Sequence, residues 1–318
     1  MNNPFSLKRF GSILVFGAML VLAGCGGSGG GSSGTSTGTM SLKITDAAVD
    51  SADNVFIQFH GLELQAADGT RTTLYLCEDP MNPGATIVSD SACTTQQKSR
   101  QIDLLALNGG LADTLLDNFT LPSGHYSWIR LMVDTAGTLD SYIVISGNDF
   151  ELTIPSGDQT GLKINRGFDV PAGGHADFTI DFDLRKSVVL ANNGYILRPT
   201  LRMVDNTMVG AIAGTVASSL VPSGCTPAVY VFSGAGATPD DIDIDNTNPD
   251  PVTTASVNTT DGTYKAAFLE AGDYTVAYTC DAAADDPMVD NTADNTVTFS
   301  NTATVTVTAN SATTHNFP

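Results

Sequence analysis

Apolar and polar residues alternate along much of the chain after residue 40, and alternation with period two marks strands that bury one face. Met40-Ser41-Leu42-Lys43-Ile44 sets the pattern, and residues 55–64 continue it. It returns at 74–76, 126–133, 142–145, 150–154, 162–170, 176–182 and 196–204. Turn signals separate these runs, among them Asp68-Gly69, Pro122-Ser123-Gly124, Gly147-Asn148 and Ala172-Gly173-Gly174. Residues 104–116 form the one stretch that reads as helical, interrupted by Gly109-Gly110. A second set of runs follows at 209–216, 228–232, 263–277, 296–299, 303–308 and 313–317. Many short strands with frequent turns predict an all-β chain of two antiparallel β-sandwich domains, the first with a short helix and open to the alternative of a partly closed barrel.

The N-terminus follows another rule. Lys8 and Arg9 precede an apolar run at 13–22 that is short for a membrane span and has the layout of a secretory signal. The run ends in Leu22-Ala23-Gly24-Cys25, which resembles the bacterial lipobox, whose Cys becomes the acylated N-terminus. The resemblance implies a palmitate-bearing lipoprotein, and Gly26 in the next position implies the outer membrane. Each buried CH₂ adds about 0.8 kcal/mol, so several acyl chains anchor a protein stably without spanning the bilayer. Residues 26–39 are almost entirely Gly, Ser and Thr, a flexible tether with a reach of roughly 20 Å. The expected organisation is signal peptide 1–24, tether 25–39, first β domain 40–205 and second β domain 208–318.

Charge narrows the partners. The 318 residues carry 14 Lys+Arg against 34 Asp+Glu, a net charge of -20. Nucleic acid is a poor partner, because phosphate binding needs clustered cations. Residues 208–318 hold 13 of the acids and one base, Lys265.

Apart from Cys25 there are four cysteines, Cys77, Cys93, Cys225 and Cys280, an even number in a chain that leaves the cytoplasm. Three pairings are open. The composition of the two domains makes Cys77–Cys93 and Cys225–Cys280 the local choice, and no pair has the C-x-x-C spacing of a zinc site.

Thr45-Asp46-Ala47-Ala48-Val49-Asp50, Leu104-Leu105-Ala106-Leu107-Asn108-Gly109-Gly110, Leu121-Pro122-Ser123-Gly124-His125-Tyr126, Pro155-Ser156-Gly157, Asp181-Phe182-Asp183-Leu184-Arg185-Lys186-Ser187 and Leu197-Arg198-Pro199-Thr200-Leu201-Arg202 occur in that order. This series resembles the bacterial and archaeal domain of unknown function 4382, with Ala48 where the motif usually has Pro. The resemblance implies a secreted or lipid-anchored envelope domain and supplies no reaction. In the second domain, Asp261-Gly262-Thr263-Tyr264 and Ala271-Gly272-Asp273-Tyr274-Thr275-Val276 resemble the carboxypeptidase-regulatory, transthyretin-like Greek-key sandwich, a carbohydrate-binding-like fold.

No catalytic constellation stands out. The strongest polar run is Asp240-Asp241-Ile242-Asp243-Ile244-Asp245, with Asp250 nearby and Asp285, Asp286, Asp290 and Asp294 in another loop. Asp240, Asp243 and Asp245 are candidate calcium ligands, since hard cations take six to eight oxygens, against the alternative of a solvated acidic loop. No other cofactor is expected. Asp181, Asp183, Arg185 and Lys186 mix charges in one segment; strand alternation puts Asp181, Asp183 and Arg185 on one face, as a binding site or an ion-pair network between domains. Trp128 reads as core packing, with an exposed sugar platform as the alternative. The four histidines are dispersed.

These features point to a lipid-anchored, non-enzymatic outer-membrane protein with a binding or structural role at the cell envelope. Its partners are the membrane, through the anchor, and a polysaccharide, extracellular polymer or envelope protein. The alternatives are an envelope hydrolase using Asp carboxylates and an accessory subunit of an envelope assembly.

Overall fold

Met40, Leu42 and Ile44 are buried and Ser41 and Lys43 between them are half-buried, so the first alternating run lies in a sheet with one face in the core. The computed structural model describes residues 36–47, 52–191, 194–243, 249–293 and 295–318. The strand begins at Thr37, inside the stretch read as tether, and runs to Ala47. It lies in the middle of a four-stranded sheet ordered Leu201–Asp205, His175–Asp183, Thr37–Ala47 and Asp113–Pro122.

A second sheet is built around Asn54–Ala66, which pairs with Gly124–Val133, Arg71–Glu78, Arg100–Asp103 and Tyr142–Ile145. Leu42, Ile44, Ile180 and Phe182 of the first sheet share one apolar core with Ile57, Phe59, Leu64 and Leu131 of the second. Two sheets closing on one core make the first block.

The second block has two further sheets, ordered Thr263–Glu270, Val209–Thr215, Ala312–Thr314 and Thr253–Ser256, Ala228–Ser233, Gly272–Thr279, Phe299–Val307. Ile212, Val229, Val231, Leu269, Val276 and Val305 fill the space between them. Ala228–Ser233 is buried on both faces: Val229 and Val231 face this core, whereas Ala228, Tyr230 and Phe232 join a smaller cluster with Ile242, Ala277 and Ala282. The described residues form one compact unit, so the two blocks pack as one body.

The chain is nearly all β with mainly antiparallel sheets, as the alternation predicts. Some pairs run parallel: Thr37–Ala47 with His175–Asp183, and Val209–Thr215 with Ala312–Thr314. The second requires a glycine, because a Cβ on Gly214 would stand 1.7 Å from the carbonyl oxygen of His315.

The helix expected at 104–116 shrinks to one 3-10 turn, Leu105–Leu107. The residues after Gly109-Gly110 extend instead into Asp113–Pro122, which pairs with Thr37–Ala47. Leu111, Leu115 and Leu116 have helical spacing, but burial of Leu115 and Leu116 in the sheet prevails. Residues 162–170 and 196–204 each divide into two strands, Leu162–Ile164 with Phe168–Val170 and Gly194–Leu197 with Leu201–Asp205. Pro199, which has no N–H for a ladder, stands in the second break. Residues 296–299 and 303–308 fuse into Phe299–Val307.

Disulfides join Cys77 to Cys93 and Cys225 to Cys280. Chain entropy assigns about 3 kcal/mol to the shorter loop and about 4 kcal/mol to the longer one. Replacing Cys225 and Cys280 together by Ser should therefore lower unfolding free energy by about 2–4 kcal/mol in urea titrations, at least about four times the ~0.5 kcal/mol of an ordinary exposed Ser or Thr change. A loss under 1 kcal/mol would contradict this.

Candidate functional site

The His175–Asp183 strand ends because Asp183 turns the chain. Its Oδ1 accepts the Lys186 N–H at 3.2 Å, capping the helical turn Leu184–Ser187. The Ser187 hydroxyl donates to the Asp183 carbonyl oxygen at 2.5 Å and accepts the Thr200 N–H at 2.9 Å, tying the turn to the next strand. Asp46 supports it from the first strand, accepting the Leu184 N–H at 3.3 Å. Arg185 is therefore on a turn and does not share a strand face with Asp181 and Asp183, as alternation alone had suggested.

The turn sends two cations into the second block. Lys186 Nζ donates to Asp250 Oδ2 and to the Pro251 carbonyl oxygen, both at 2.9 Å. Buried Arg185 donates from Nη1 to the Tyr230 hydroxyl at 2.5 Å and to the Ala282 carbonyl oxygen at 3.2 Å, with its guanidinium 5.3 Å from the Tyr230 ring centroid. Tyr230 in turn donates to Asp285 Oδ2, and Asp285 Oδ1 accepts the Ile242 N–H at 3.3 Å. Burial pushes the Asp285 carboxyl up to about 6, against the pull of Tyr230 and Arg185.

Beside this network lies a cleft of about 330 Å³ between the blocks, lined by Asp181, Asp183, Lys186, Arg202, Asp250 and Thr253 among others. Asp181 Oδ2 accepts from Arg202 Nε at 2.7 Å and lies 2.6 Å from Arg202 Nη2. Burial raises the Asp181 carboxyl, although Arg202 acts the other way. Asp183 is raised too, by burial more than Lys186 lowers it. The cleft thus offers paired charges of both signs at a junction of two packed units, a common place for ligands.

Asp240, Asp241, Asp243 and Asp290 each bring a carboxylate oxygen within 4.8 Å of the others. Oxygens at that separation could share a hard divalent cation. The loop is also held by hydrogen bonds: both Asp241 oxygens accept backbone N–H groups, from Asn291 at 2.8 Å and Thr292 at 2.9 Å, and Asp240 accepts the Thr292 hydroxyl. Asp240 and Asp243 of the expected calcium set are brought together here, and Asp245 lies outside the described residues, as does Cys25. Asp290, from the second acidic loop, joins across about fifty residues of sequence, a meeting that no local spacing signals.

The histidines stay apart. His60 Nδ1 lies 2.6 Å from Asp134 Oδ1, His125 Nδ1 3.0 Å from Asp169 Oδ1, and His175 Nδ1 3.0 Å from the Thr39 hydroxyl. His315 packs edge-on against Phe317, and burial lowers its pKa.

Residues 37–199 match the family model described as Domain of unknown function (DUF4382), and with them more than half of the chain. The chain belongs to this family. The match ends just before Leu201–Asp205, the strand that completes the first sheet and carries Arg202. No curated protein matches the sequence. Among solved structures, a minor pilin of Streptococcus agalactiae is 12% identical, covering 87% of this chain and 94% of its own, with a TM-score of 0.20. The TIE protein of Bacillus anthracis is 10% identical over 88% of this chain and 50% of its own, at 0.20. A putative cell adhesion protein from Bacteroides fragilis is 7% identical over 87% and 92%, also at 0.20.

The Asp285 shift gives the DUF4382 chain a signed pH dependence. A carboxyl whose folded pKa of about 6 exceeds its unfolded value near 4 stabilises the fold fully below pH 4 and loses that contribution as pH rises through 6. Native protein should lose up to about 2–3 kcal/mol relative to Asp285→Asn between pH 4 and 7, measured as the difference in urea unfolding free energies. Parallel pH profiles for the two proteins would contradict the assignment. Arg185→Met leaves Asp285 and Tyr230 buried without the guanidinium and should cost about 3–5 kcal/mol at pH 8, with a smaller loss at pH 5, where Asp285 is protonated.

Proposed function

We propose that this chain is a lipid-anchored outer-membrane protein whose two β blocks act as one non-enzymatic unit, binding glycan or extracellular polymer or giving structure to the cell envelope. The observation that carries this reading is the buried Arg185–Tyr230–Asp285 network with its neighbour Lys186–Asp250, which commits the charged residues of the family segment to joining the blocks. A permanently joined pair of sandwiches suits a rigid arm better than a hinge that opens and closes on substrate.

The two disulfides agree with an oxidising compartment outside the cytoplasm. Leu22-Ala23-Gly24-Cys25 supplies the anchor in this reading. The second block is taken as the carboxypeptidase-regulatory-like module, on the strength of its two facing sheets and its Gly-Asp-Tyr turn at 272–274. Calcium belongs at Asp240, Asp241, Asp243 and Asp290 in this scheme, as a brace of the acidic loops.

One observation favours a hydrolase as second reading: Asp181 and Asp183 line the same cleft and both have raised pKa values, as a general acid requires. Against it, Asp181 is engaged by Arg202 and Asp183 caps a turn.

Cells expressing the protein with a palmitate analogue should label it, and Cys25→Ser should abolish both the label and sedimentation with membranes. Protease added to intact cells should degrade the native protein if the domains face outward; protection until the outer membrane is opened would move the reading to a periplasmic accessory role. Saturable retention on envelope polysaccharide is expected without turnover. Glycan hydrolysis lost in Asp181→Asn would replace the binding reading by the hydrolase.

A further inference from the structure

Trp128, the single tryptophan, lies outside the apolar core of the first block, opposite Gln65 in the pairing of Gly124–Val133 with Asn54–Ala66. Three cations surround its ring: Lys163 Nζ at 4.5 Å from the centroid, and the guanidinium carbons of Arg71 and Arg130 at 5.4 and 5.8 Å. The tryptophan is 8% exposed, so this face has no open ring on which a neutral sugar could stack. What it offers is positive charge.

One carboxylate answers these cations. Buried Glu63 lies 2.7 Å from Arg130 and 3.7 Å from Arg71. Arg130 is further spent on the carbonyl oxygens of Gln159 and Thr160, at 2.8 and 3.1 Å, and so acts as a positioning residue. Arg71 also donates from Nε to Gln65 Oε1 at 3.3 Å, but its side chain is 56% exposed, and it and Lys163, whose partner is the ring, are the cations a ligand can reach. Among the described residues the ion pairs of these three cations thus go to a single acid, on a chain of net charge -20.

The same molecule carries the complement. In the second block, Met288 and Val289 are exposed at 41% and 45% between Asp286 and Asp290. Asp286 accepts the N–H groups of Met288, through its side chain at 3.0 Å, and of Val289, through its carbonyl at 2.9 Å, and this holds the apolar pair at the tip of a tight turn. An apolar tip beside the exposed carboxylate of Asp286 matches long cationic side chains, whose stems are apolar and whose heads are charged.

We propose that the Trp128 face is a docking site for the 286–290 loop of a second copy of this chain, with Asp286 meeting Arg71 and Lys163 while Met288 and Val289 pack on the aliphatic stems of these two side chains. The two surfaces differ, so the contact is head-to-tail and leaves a free site at each end, the condition for extension into a string of copies. Net repulsion does not forbid it, because at physiological salt charges beyond about 8 Å are screened and the contacting groups dominate. The contact is independent of acylation at Cys25, and its failure would leave the envelope-binding reading standing.

The test uses full-length protein in detergent, half of it labelled with ¹⁵N, treated with a zero-length carbodiimide that joins amines to carboxylates. Peptides linking Lys163 to Asp286 should contain one labelled and one unlabelled half. In sedimentation, Arg71→Glu with Lys163→Glu should weaken association at least tenfold, as should raising salt from 50 to 500 mM. Mixing that variant with Asp286→Lys should restore association between the two, with thermal unfolding confirming that both remain folded. Cross-links within single copies only, or association unchanged by the charge reversal, would overturn the proposal. Loss of retention on polygalacturonate by the Arg71/Lys163 variant, without any change in sedimentation, would also overturn it and give the face to an acidic glycan.

Discussion

The hydrogen bond from the Lys186 amide to Asp183 fixes the direction of two cations, and the joint between the blocks follows from it. Without that cap the strand His175–Asp183 would continue, and Arg185 and Lys186 would alternate across a sheet face. With it, both side chains leave the sheet at one point and enter the second block. Arg185 then meets Tyr230 on the outer face of a strand whose inner face already supports another core. A single residue on each side is thus built into the packing of its own block before the two are joined.

This joint is polar where the two block cores are apolar. Buried charges rarely add stability relative to apolar residues of the same shape, yet removing one partner is costly because the other stays buried. Such a contact selects one mutual orientation of the blocks more than it strengthens their attachment. The raised carboxyls of Asp181, Asp183 and Asp285 record the same fact, since burial disfavours the charged form of each.

Much of this fold was legible from the pattern of side chains. Alternation located most strands, because a half-buried strand writes its burial into every second residue, and the local disulfide pairings followed the division into blocks. Strand direction was not legible: nothing in Met40-Ser41-Leu42-Lys43-Ile44 says that its neighbour at 175–183 runs parallel. The helical reading of 104–116 failed because leucine spacing alone cannot tell a helix face from a strand with a bulge near Asn118, a residue in the left-handed region. At the candidate site, the charged segment 181–186 was visible, but its Asp cap was missed although an Asp before a short turn is a recognisable signal. The convergence of Asp290 on Asp240 depends on how two distant loops fold back, and Trp128 showed its strand without showing its cations.

The strand Thr37–Ala47 enters the structure directly after the Gly-, Ser- and Thr-rich segment and takes a central place in its sheet, bonded on both sides. A mechanical pull transmitted through that segment along the strand would load the ladders to His175–Asp183 and Asp113–Pro122 in shear, so that many hydrogen bonds would have to break together instead of peeling one by one. The position of the first strand therefore sets how the folded body would resist force, a property separate from its equilibrium stability.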